Sequence, residues 1–105
     1  MSTSATAKFI PRERFQSLVA EWKQQSQHMS NNAQMATLRP YQRIIGMGEV
    51  AVPLILEELR HEPDQWFWAL EAITDENPVP PEARGRVQMM AEAWIEWGRK
   101  RGLLP

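Results

Sequence analysis

Large apolar residues recur in this chain at the spacing of one helix face, four times over. No segment alternates them at the period of two that a half-buried strand requires. Phe15, Leu18, Val19 and Trp22 stand at i, i+3, i+4 and i+7, with charged residues and glutamines around them. Val52, Ile55, Leu56 and Leu59 make a second stripe, and Trp66, Ala69, Leu70 and Ile73 a third. Val87, Met90, Ala91, Trp94 and Trp97 make the fourth. Proline and glycine punctuate the intervals. Pro11 suits a first helical position, where its missing N–H is not needed. Ser30, Asn31 and Asn32 offer capping side chains. Pro40 starts a short helix carrying Tyr41, Ile44 and Ile45, which Gly46 and Gly48 end. Pro63 and Asp64 repeat the start signal, and Asp75-Glu-Asn-Pro-Val-Pro-Pro81 breaks the chain again.

The pattern predicts an all-α fold, a compact domain of five helices near residues 12–28, 34–46, 49–61, 64–74 and 82–101. Residues 1–10 read as a flexible N-terminal tail and 11–105 as one domain, the most that 105 residues allow. Leu18, Leu56, Leu70 and Trp94 sit centrally in their stripes and are the expected core. Arg99, Lys100 and Arg101 fall in the final turn of the last helix, where cations suit its dipole, and Gly102 stops it.

Composition narrows the chemistry. An apolar fraction of 43% with a net charge of only −1 belongs to a chain that folds rather than one that stays disordered. A pI near 6.1 is far from the basic balance of a typical polyanion binder, although it leaves room for a local basic patch. The absence of cysteine excludes disulfides, thiolate metal sites and thiol catalysis together. No apolar run approaches the length of a membrane span, and the Ser/Thr/Ala-rich start lacks the apolar core of a signal peptide. The cytoplasm is the expected compartment, with no membrane partner.

The run Ile44-Ile-Gly-Met-Gly-Glu-Val-Ala-Val-Pro-Leu-Ile-Leu-Glu-Glu-Leu59 resembles the junction between the two helices of a HEAT-like repeat. In that family a glycine turn leads into Ala-Val-Pro and then a leucine-spaced second helix. Trp68-Ala-Leu-Glu-Ala-Ile-Thr74 looks like the first helix of the next unit. The resemblance covers about residues 38–97 and implies paired helices behind an N-terminal capping helix. Val50–Leu59 and Val87–Trp97 would then be equivalent second helices, about 37 residues apart. Asn77-Pro-Val-Pro-Pro81 replaces the tight turn the pattern expects in the second unit. Members of this family mostly bind other proteins, so the resemblance implies protein binding.

Motifs for catalysis are missing or out of context. Gly46-Met-Gly48-Glu-Val-Ala51 fits the permissive dinucleotide fingerprint G-x-G-x-x-G/A, which needs a strand before it and a helix after it. Only Ile44 and Ile45 precede it, so a turn between helices is the better reading. His28 and His61 each lack a second histidine at ligand spacing. Glu57, Glu58 and Glu62 near His61 fit a solvated helix face. No nucleophile elbow or phosphate loop is present. The expectation is a protein that is not an enzyme and carries no cofactor or metal.

Two surfaces remain as candidates. Successive helical residues lie about 100° apart, so Trp66, Phe67 and Trp68 cannot all face one core. Trp66 belongs to the apolar stripe, Phe67 falls at its edge, and Trp68 points about 200° from Trp66. Either a small bundle wraps all three, or Trp68 is an exposed anchor of the kind that dominates interfaces. The three together are the candidate partner-binding residues. The other surface is basic: Arg84, Arg86, Arg99, Lys100 and Arg101 on or near the last helix, which Arg39 and Arg43 could approach. The leading expectation is a protein–protein interaction module, a small bacterial-type accessory, adaptor or antitoxin-like inhibitor acting on a larger partner or by self-association. The alternative is a nucleic-acid-associated protein using the basic cluster.

Overall fold

Pro40 divides the second expected helix. In a continuous helix its ring would press on the carbonyl of Ala36, and it has no N–H to offer that carbonyl. The computed structural model, which describes the backbone from residue 3 and side chains from Pro11 onward, shows the consequence. One helix, α2, ends at Thr37 (Asn32–Thr37), Leu38 turns extended, and α3 (Arg39–Gly46) begins anew. The released Ala36 carbonyl accepts from the Gln42 side-chain amide at 2.7 Å. Asn31 caps α2, its side-chain oxygen accepting from the Gln34 N–H at 3.1 Å.

The domain therefore has six α-helices where five were expected, and no strand among the described residues. The first, α1 (Thr3–Ser26), contains Pro11 within its length rather than at its start. Met1 and Ser2 of the expected 1–10 tail, and the side chains of the rest of it, lie outside the described residues. A 3-10 turn (Gly48–Val50) links α3 to α4 (Ala51–His61). The next helix, α5 (Phe67–Thr74), starts three residues later than Asp64, and Asp75 closes it in the left-handed conformation at φ 58°. The last, α6 (Val87–Lys100), begins at Val87 rather than 82, because Gly85 at φ 81° separates it from a short 3-10 turn over Pro81–Ala83.

Helix α3 packs against both α1 and α5, and α4 packs against α6. The core has two unlike parts. Where α1, α3 and the start of α5 meet, four aromatics cluster. Tyr41 lies parallel to Trp66 at 5.6 Å, Trp22 is 4.5 Å from Trp66 and 5.3 Å from Tyr41, and Phe15 is 6.1 Å from Trp66. Such pairs add to area burial by their quadrupole geometry. Where α4 meets α6 the approach is close, with Ala91, Trp94 and Gly98 the buried residues of α6. A Cβ on Gly98 would overlap the end of the buried Leu56 side chain, so this glycine sets how near α6 can lie. Gly102, at φ 74°, then reverses the chain after α6. Leu103 N–H bonds back to the Gly98 carbonyl at 2.9 Å, and Leu104 is buried. Leu18, Leu56, Leu70 and Trp94 are all core residues.

Three ion pairs fasten α4 to α1: Arg12 to Glu57 at 3.2 Å, Lys23 to Glu58 at 3.2 Å, and Lys23 to Glu62. Partial burial pushes the Lys23 ammonium down, yet hydrogen bonds to Glu62 and Glu58 outweigh it and hold the group above its ordinary pKa. The carboxylates near His61 are thus spent on helix packing.

Candidate functional site

Helix α5 separates the three aromatics at its start. Trp66 is fully buried and Phe67 is 3% exposed, while Trp68 is 53% exposed. Phe67, expected at the edge, lies in the core. Neither Trp66 nor Phe67 reaches the surface, so only Trp68 of the three can meet a partner directly. Trp68 heads a stripe of exposed positions, Trp68, Glu71, Ala72 and Asp75, spaced i, i+3, i+4 and i+7. The outer face of α5 is therefore one aromatic ring, one methyl and two carboxylates.

A residue the sequence reading did not single out holds this platform. The Tyr41 hydroxyl donates to the Gln65 carbonyl at 2.9 Å and accepts from the Ala69 N–H at 2.9 Å. Ala69 is in the first turn of α5, whose own N-cap position, Trp66, has no side-chain acceptor to give. A phenol from α3 thus does the work of a capping side chain. Burial is the main reason the Tyr41 phenol is held far above its ordinary pKa, so the hydroxyl stays a donor. Asp64 serves the preceding turn instead, its carboxylate accepting from the Gln65 N–H at 2.7 Å. Nothing local in the sequence marks a cap supplied from 28 residues away.

The basic residues do not form one patch. Arg84 and Arg86 precede the first turn of α6, whereas Arg99 and Lys100 lie in its last turn and Arg101 caps it, about 20 Å along the axis. Two of the five are already paired. Arg99 meets Glu96 at 3.0 Å, and Arg101 meets Glu76 at 2.7 Å while its guanidinium lies 4.8 Å from the centre of the Trp97 ring. The Trp97 indole N–H also donates to Glu76 at 3.2 Å. Hydrogen bonds from Arg101 first and Trp97 second hold the Glu76 carboxyl below its ordinary pKa. Arg39 and Arg43 do not approach α6; they line a cleft between α3 and α1.

Gly46 and Gly48 form the turn between two helices, with Ile44 and Ile45 inside α3, so the strand that a dinucleotide site needs is replaced by helix. His28 and His61 are both exposed. Among the described residues no group of three His, Asp or Glu side chains is placed to hold a metal ion. No described helix is long and apolar enough to cross a membrane. Comparison with known proteins finds no matching protein family, curated protein or solved structure.

Proposed function

We propose that this chain is a non-enzymatic interaction module, a small adaptor, accessory or inhibitor that docks on a larger protein through the outer face of α5. The observation that carries the reading is Trp68, more than half exposed beside two buried aromatics. Covering the rest of its ring would gain on the order of 3 kcal/mol from apolar area alone. The ring stands on a helix start fastened by Tyr41, so little ordering remains to be done on binding. Glu71 and Asp75 rim it with negative charge, and the complementary partner is an apolar pocket edged by Lys or Arg. The resemblance of residues 44–59 to a HEAT-like junction implies protein binding as well. The cytoplasm is the compartment that goes with it. The nucleic-acid alternative is weakened by the separation of its arginines and by the two that are already paired.

The test is capture from the native host with tagged wild-type protein and Trp68→Ala, then affinity measurement for the protein recovered. Trp68→Ala should weaken binding by about 2 kcal/mol and keep the fold. Arg84→Gln/Arg86→Gln should bind as the wild type does. Equal affinities for the wild type and Trp68→Ala would remove the reading.

A further inference from the structure

Helices α1 and α3 leave between them an open cleft of about 590 Å³ whose floor includes Leu18 and Pro40, both buried. Three arginines line it, Arg14 from α1 and Arg39 and Arg43 from α3. Arg39 and Arg43 are one helical turn apart, so their side chains leave α3 on the same face. No carboxylate of the described residues lies within ion-pairing distance of any of the three, whereas Arg12, Lys23, Arg99 and Arg101 are all paired. Three unpaired cations gathered on one concave surface repel one another, and a bound anion relieves that cost.

We propose that this cleft binds a compact phosphoryl anion of small-molecule size. The number of arginines favours phosphoryl over carboxylate: a phosphoryl group carries three acceptor oxygens and more negative charge than a carboxylate, so three guanidinium groups can share it. The other charges of the cleft limit its size. Glu13 and Glu21 also line it, eight residues apart on α1 and hence separated by about 12 Å, bracketing Arg14 and Ser17. A small anion at the middle sits beside Ser17 and the arginines, about 6 Å along the axis from either glutamate. A long polyanion running along the cleft meets a carboxylate at each end. The site therefore selects against nucleic acid while accepting a single phosphoryl unit, and it is separate from the outer face of α5.

Calorimetric titration with inorganic pyrophosphate tests this. The wild type should show saturable, sub-millimolar binding that weakens as salt is raised. Arg39→Gln/Arg43→Gln should weaken it at least about tenfold, as the loss of charge-assisted bonds requires. Both arginines are exposed, and unchanged circular dichroism would show the variant folded. Arg84→Gln/Arg86→Gln should leave binding intact, and Glu13→Gln/Glu21→Gln should tighten it. Absence of saturable binding would overturn the proposal, as would equal losses in the two arginine variants. A single-stranded oligonucleotide that binds more tightly than pyrophosphate would overturn the claim of a compact ligand.

Discussion

The start of α5 carries the same side chain twice and puts it to opposite uses. Trp66 on the inner face is wedged among Phe15, Trp22 and Tyr41, and its exposure is nil. Trp68, two residues on, meets water over half its surface. The residue type alone does not tell core from contact; the angle about the helix axis does, read against the stripe that continues through Ala69 and Leu70. Trp68 is the most exposed large hydrophobic side chain among the described residues, and the proposed docking surface rests on it for that reason.

That contrast can be broken most forcefully from the inside. Trp66→Ala removes the ring on which three aromatics pack and should cost about 3–5 kcal/mol, as large-to-small aromatic substitutions do. Domains of this kind hold only about 5–15 kcal/mol, so most of the cooperative urea transition should be lost. A midpoint close to the parent would show that the aromatic cluster contributes little. Tyr41→Phe should be milder. It keeps the stacked ring but leaves the Ala69 N–H and the Gln65 carbonyl without their partner, at a cost of about 1–3 kcal/mol. The loss should appear first as faster hydrogen exchange at the start of α5. Uniform protection across the domain would mean that the phenol does not hold the platform.

Much of this was legible in the sequence, and the remainder has physical causes. The stripes located four of the helices because burial at 3.6-residue spacing leaves its mark on neighbouring positions, and the same geometry set Trp68 apart from Trp66 while leaving open whether another helix covers it. Pro40 marks the start of α3 in the sequence, but the Gln42 amide that satisfies the Ala36 carbonyl across the break leaves no periodic signal. The late starts of α5 and α6 follow from the irregular stretch over residues 62–66 and from Gly85 at φ 81°. Contacts between distant segments left no local signal. Tyr41 reaching α5, Glu76 engaging Arg101, and Arg39 and Arg43 lining a cleft with α1 all depend on how helices meet. The basic cluster looked continuous in sequence because a helix's two ends are only a dozen residues apart along the chain.

A smaller effect comes from the exposed link at the end of α6. The Glu76 carboxyl has a lower pKa folded than unfolded, so its contribution is complete above the ordinary carboxylate range and is lost as pH falls through the depressed value. Glu76→Gln should remove that part of the acid sensitivity and free the Arg101 side chain. The stability difference between wild type and variant should shrink toward zero on acidification. A difference that grew on acidification would give Glu76 the wrong sign.

The smallest expected effect tests the central claim most directly, that Trp68 is surplus to the fold. Equilibrium urea unfolding of Trp68→Ala, run beside Trp66→Ala, should give a free energy within about 0.5 kcal/mol of the wild type, as for surface positions generally. A loss of about 2 kcal/mol or more would place the Trp68 ring in the core's service and leave the outer face of α5 with no anchor to offer.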